Sequence, residues 1–146
     1  PISTHTASII APMSQERKRF VLLRHVLPDA EHWDLMLDIG SVLATWQVTG
    51  ELLHIGPSGW QAGPVDRLPS QRIADHRKLY LEYEGPISGG RGTVIRHDQG
   101  YFTIITQNDN EWIVQLDGTI LHGIYCLPER SKKGSGFFGL VGFCLL

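Results

Sequence analysis

Between residues 93 and 127 the chain breaks into four short strand-like runs, 93–97, 101–106, 111–116 and 120–127. They are separated by turn-forming clusters: Asp98-Gln99-Gly100, Asn108-Asp109-Asn110 and Asp117-Gly118. Punctuation this regular leaves no room for a long helix and predicts a meander of hairpins. Asp117-Gly118 is the sharpest signal, because a type I′ turn demands positive φ at its two central residues and Asp-Gly accepts it. Strands joined this way either expose an edge or close on themselves. The expectation is therefore a mainly β fold: a small closed or nearly closed antiparallel β-barrel with at most one or two short helices. Sixteen Gly and eight Pro beside four Trp, four Tyr and five Phe agree with short strands and tight connections.

The first half reads the same way. Phe20-Val21-Leu22-Leu23-Arg24-His25 is nearly continuously apolar and predicts a central strand, with Pro28 and Asp29 marking a loop after it. His32-Trp33-Asp34-Leu35-Met36-Leu37-Asp38 alternates with period 2, as a half-buried strand does. Ile39-Gly40 turns the chain, and residues 41–48 return as its partner. Residues 49–69 are irregular, with room for one short strand at Leu52–Ile55. Residues 70–79 are expected to form a short helix, and residues 81–84 a strand before the glycine-rich run that ends at Gly92. One domain of 146 residues is expected, with residues 1–19 as an N-terminal extension, 20–130 as the barrel and 131–146 as a tail. Met13 has the look of a natural start, and the residues before it are then either an upstream extension or a remnant foreign to the protein.

Charge narrows the function. Thirteen basic against fifteen acidic residues give a net charge of −2, which argues against a broad nucleic-acid coat. A local phosphate pocket needs only a few well-placed cations and stays open. Two cysteines, Cys126 and Cys144, are too few for a disulfide scaffold. No apolar run approaches the roughly 20 residues of a membrane-spanning helix, and the first residues lack a signal-peptide pattern. A cytoplasmic protein with no membrane partner is the expectation.

His32 and Asp34 lie two apart on one strand and so share a face, while Trp33, Leu35 and Leu37 share the other. His25, at the end of the preceding strand, is within reach as a third ligand. Two imidazoles and a carboxylate leave coordination positions open, as a catalytic divalent metal requires. The other reading is that these are satisfied histidines with Asp34 paired locally, since seven histidines offer many such coincidences. Asp38 extends the same face but fits a cap of the Ile39-Gly40 turn. His54, His97 and His122 fit barrel histidines, and Trp33, Trp46 and Trp112 fit the core or barrel wall. Gly89-Gly90-Arg91-Gly92 suits either a phosphate cradle or a barrel corner. Arg17-Lys18-Arg19 and the basic run at 130–133 read as solvated ends.

Six blocks of the sequence, in order, resemble the 3′-phosphoesterase domain of bacterial DNA ligase D. Phe20 to His25, then His32-Trp33-Asp34-Leu35-Met36-Leu37-Asp38, then Leu43-Ala44-Thr45-Trp46-Gln47-Val48 are similar to its F-V-x-x-K-H, H-Y-D-x-R-L-E and G-V-L-x-S-W-x-V. Asp75-His76 with Tyr80, Tyr83-Glu84-Gly85-Pro86-Ile87 with the glycines after it, and Leu116 to Leu127 follow its later blocks. The resemblance implies a small β-barrel and a metal-dependent activity, with Mn²⁺ as the typical cofactor. That activity heals DNA 3′ ends in strand-break repair by non-homologous end joining, removing a 3′-terminal ribonucleoside or 3′-phosphate to leave a 3′-hydroxyl. It implies that His25, His32 and Asp34 hold the metal and that His76 and Tyr80 contact the phosphate from the opposite side, all five as catalytic residues. The implied partners are DNA 3′ ends and a separate DNA ligase or polymerase.

Two departures stand out. The strand-face arginine of H-Y-D-x-R is Met36 here, and the interval from His25 to His32 is one residue longer. Arginine offers a planar bidentate fork that methionine cannot replace. Arg72, Arg77, Arg91 and Arg96 are the candidates to supply the phosphate grip, Arg91 first and Arg72 after it. Two rival functions follow: a catalytically altered relative that binds nucleic-acid ends or repair partners, and a barrel that binds a small molecule.

Overall fold

The computed structural model describes residues 17–49, 67–129 and 136–140. Its strands are β1 (Lys18–Val26), β2 (Glu31–Asp38), β3 (Leu43–Val48), β4 (Arg67–His76), β5 (Gly85–Pro86), β6 (Thr93–Gln107), β7 (Glu111–Gly118), β8 (His122–Pro128) and β9 (Gly136–Leu140). All pairings are antiparallel. The order is β1-β2-β3-β4-β9-β8-β7-β6-β5, and β6 also pairs back onto β1, so the sheet curls into a barrel-like, mainly β fold. Among the described residues the one helix is a single 3₁₀ turn, Lys78–Leu81, and no helix is long and apolar enough to cross a membrane.

Period-2 alternation sorts the side chains between two apolar clusters. Phe20, Leu22, Trp33, Leu35, Leu37, Trp46, Trp112 and Tyr125 belong to the main core. Val21, Leu23, Met36, Leu43, Leu81 and Val94 form a smaller cluster, with Tyr80, Tyr83 and Ile87 packed against it. Odd positions of β1 and even positions of β2 thus face the second cluster, and that face carries the site.

Four local expectations are corrected. Residues 70–79 are not a helix: most of them lie in β4, which pairs with β3 on one side and the sequence-distant β9 on the other. Residues 81–84 are not a strand: Leu81 ends the 3₁₀ turn, and Glu82 and Tyr83 donate their amides to the Leu79 carbonyl. The runs at 93–97 and 101–106 are one strand, β6. Asp98 does not break it because its carboxylate accepts the amides of Thr119, Ile120 and Leu121 at 2.7–3.0 Å from inside the barrel. Asp117 and Gly118 are not the centre of the β7–β8 turn, since Gly118 donates to Leu121 around Thr119 and Ile120 and its φ is not positive. Gly118 is needed for space: a Cβ there would come within 2.5 Å of Asp98 Oδ2 and 2.7 Å of Phe20 Cζ.

Asp38 does accept the Gly40 amide (3.0 Å), as a turn cap should, and it also pairs with Lys78. Gly136–Leu140, set in the expected tail, runs as β9 between β4 and β8. Leu52–Ile55, His54 and the basic run at 130–133 lie outside the described residues.

Candidate metal centre and phosphate pocket

The β1–β2 hairpin assembles the centre. Leu27 donates to the Ala30 carbonyl across a short loop, and this sets a register in which His25 faces His32 and Leu23 faces Asp34. Directly opposed residues on one face stand close enough for side-chain contact. His25 Nδ1 lies 3.2 Å from His32 Nε2 and 3.5 Å from Asp34 Oδ2, while His32 Nε2 lies 3.2 Å from Asp34 Oδ1. The three ligand atoms fall within 4.8 Å of one another. His25, at the strand end in sequence, is thus a full member of the cluster.

Two observations fit a cation. Asp34 is 3% exposed, and its Oδ1 is buried with no hydrogen bond of good geometry. Burying a carboxylate costs several kcal/mol unless it is answered, so an oxygen that has only an imidazole nitrogen beside it and no well-formed hydrogen bond calls for a positive charge. The donor set, two imidazoles and a carboxylate, also suits a first-row divalent metal with open positions. Burial pushes the Asp34 pKa up, but the His25 and His32 rings beside it outweigh burial and hold it below the usual carboxylate value. Asp34 in turn raises His25 above its ordinary value, against the lowering effect of burial.

The cluster opens into a pocket of about 260 Å³ lined by His25, Asp34, Met36, Asp75, His76, Arg77, Tyr80, Ile87, Arg91 and Val94. His76 ends β4 opposite Leu43, and the 3₁₀ turn after it, anchored by buried Leu81, brings Tyr80 alongside with ring centroids 5.8 Å apart. His76 Nδ1 donates to the Ala74 carbonyl at 2.9 Å, which leaves Nε2 as the nitrogen open to a ligand. Arg91 reaches the pocket from the glycine run, its guanidinium held by Ser88. Arg77 has no ion-pair partner among the described residues.

The other arginines are placed differently. Arg72 does not line this pocket: it lies over the rings of both Trp46 and Trp112, and Glu129 (2.7 Å) and Asp75 (3.2 Å) answer its charge. Arg96 donates to the Leu81 carbonyl. His97 packs on Trp33, on the opposite face from His32 and Asp34, and His122 is exposed near Asp117. Sequence reasoning missed the backbone carbonyl of Arg91, which accepts from His25 Nε2 at 2.7 Å. Its only sequence signal is the glycine run, since a carbonyl has no residue type.

A search of curated proteins returns no match for this chain. A comparison with protein families matches residues 24–129 to the DNA ligase D 3′-phosphoesterase domain. The match takes in all three candidate ligands, the pocket wall and the strands from β2 through β8, so the chain belongs to the DNA ligase D 3′-phosphoesterase domain family.

Proposed function

We propose that this chain is a metal-dependent phosphoesterase that heals DNA 3′ ends in strand-break repair. It would remove a terminal ribonucleoside or phosphate to leave a 3′-hydroxyl. The observation that carries the reading is the convergence of His25, His32 and Asp34 within 4.8 Å of one another, with His25 and Asp34 lining one pocket together with His76, Tyr80, Arg77 and Arg91. His25, His32 and Asp34 would hold the metal, with Mn²⁺ as the expected ion. When bound, a divalent cation supplies positive charge to a phosphate oxygen and eases formation of a nucleophile from water.

The chain's own groups do the rest. Arg91 and Arg77 supply cationic donors for the phosphate, a role that neutralised Arg72 is not placed to share. His76 presents Nε2, from which a protonated ring can give a proton to the leaving oxygen. Tyr80 offers a hydroxyl donor from the same wall. Apolar Met36, Ile87 and Val94 line the remaining surface beside Asp75, and limit water around the reacting group.

The test is cleavage of a 5′-labelled primer–template ending in one ribonucleotide, with added Mn²⁺, by the full chain and by His32→Ala. Trimming by the wild type that is lost in the variant is the expected result. No trimming by a folded, Mn²⁺-loaded wild type would overturn the activity on this substrate. Met36, 1% exposed where the family pattern has arginine, supports a second reading for that case: a relative that binds 3′ ends without cleaving them. Its sign would be end binding that weakens steeply with salt.

A further inference from the structure

The loop between β5 and β6 reaches the metal cluster through its backbone. His25 Nε2 lies 2.7 Å from the Arg91 carbonyl oxygen. A carbonyl can only accept, so Nε2 carries a proton, and in the neutral ring Nδ1 then keeps its lone pair. Nδ1 is the nitrogen that faces His32 and Asp34. In the other tautomer a proton would sit where a metal needs an electron pair.

The loop is built to bring that carbonyl in. Ile87 donates to the Gly92 carbonyl at 2.8 Å and closes it, while Arg91 Nε and Nη2 donate back to Ser88 O and Oγ. Gly92 has a φ of +87°, and a Cβ there would be driven into the Val26 carbonyl and come within 3.4 Å of His25 Nε2. Val26 pairs with Thr93, so the segment has nowhere to retreat without breaking the β1–β6 ladder. Gly90 is a useful contrast: its φ is also positive (+69°), but a Cβ there meets nothing within 4 Å.

We infer that the loop at 88–92 is a positioning device for His25, in which the Arg91 carbonyl selects the ring tautomer and Gly92 permits the close approach. The inference rests on the reading of His25 as a metal ligand. Groups that orient a metal's histidines commonly control affinity by roughly 10–100-fold. Gly92 and the Arg91 backbone are therefore positioning elements, distinct from the Arg91 guanidinium at the phosphate.

The test combines Mn²⁺ titration of the full chain, Gly92→Ala and Gly90→Ala with long-range ¹H–¹⁵N spectra of the His25 ring in the metal-free proteins. The expected result is an Nε2-protonated ring in the wild type, roughly 10–100-fold weaker Mn²⁺ binding by Gly92→Ala and a change of no more than about threefold in Gly90→Ala. Equal losses in both variants would mean general loop strain, and unchanged affinity in Gly92→Ala would mean no positioning role; either overturns the inference. If Gly92→Ala does not fold, the wild-type spectrum decides, because an Nδ1-protonated ring contradicts the device and an Nε2-protonated one supports it. A wild type that binds no Mn²⁺ would overturn the metal reading itself, while the ring spectrum still judges the tautomer.

Discussion

Asp34 and Asp98 are both buried carboxylates, 3% and 5% exposed, on strands of one barrel, yet the protein treats them in opposite ways. Asp98 accepts three backbone amides from the β7–β8 turn: Oδ1 takes Thr119, and Oδ2 takes Ile120 and Leu121. Among the described residues Asp34 has only two imidazoles beside it, and one of its oxygens lacks a hydrogen bond of good geometry. A buried charge answered by fixed amide donors is complete and holds the fold together. One answered by titratable rings is left ready for a cation. Burial alone does not distinguish a structural carboxylate from a functional one; the kind of donor around it does.

Substitution should separate the two. Asp98→Ala strands three amides at once and is expected to cost about 3–5 kcal/mol of stability. A fall in Tm of roughly 10 °C or more with Mn²⁺ affinity unchanged would bear that out; a weakened Mn²⁺ site would show that the two regions are coupled. Asp34→Ala is expected to do the reverse, lowering Mn²⁺ affinity about 100-fold, or roughly 2.7 kcal/mol. The metal-free protein should meanwhile melt within a few degrees of wild type, which a thermal scan in chelator checks. Gly118→Ala crowds Asp98 Oδ2 and Phe20, so a loss of about 2 kcal/mol in denaturant melts is expected, with trimming activity retained.

The smallest expected effect is a pH dependence at His97, the residue before Asp98. Burial lowers its pKa, the Asp98 charge pulls it back up, and Arg24 adds to the lowering. Its folded value therefore lies below its unfolded one, near 6.5. Above that pH both states are neutral and the stabilisation is complete. As pH falls below 6.5 the unfolded chain takes the proton first, and stability is lost down through the folded pKa. His97→Gln should flatten the acid side of a Tm-against-pH curve; an unchanged slope would place the titration elsewhere.

How far each region could be read in advance follows from how local its cause is. Alternation in β2 put His32 and Asp34 on one face with no tertiary knowledge, and the apolar run of β1 marked a central strand. The membership of His25 depended on hairpin register, which the loop sets. The helix expected at 70–79 failed because nothing local shows that Arg72 will lie over Trp46 and Trp112 or that β9 will pair beside its strand. Asp98 was read as a turn for the same reason: its three amide donors come from the β7–β8 turn.

The sequence by itself determined the faces, because side-chain direction along a strand has a period of two and follows from order alone. It also determined which residue types could meet on them, and the six ordered blocks that point to the family. Tertiary structure decided the rest. Closure of β6 onto β1 and insertion of β9 beside β4 chose which faces meet, and the Arg91 carbonyl was brought to His25 by a loop, 88–92, in which three of five residues are glycine. These are contacts between backbone groups or between residues far apart in the chain, and backbone groups are the same at every position, so no residue type announces them.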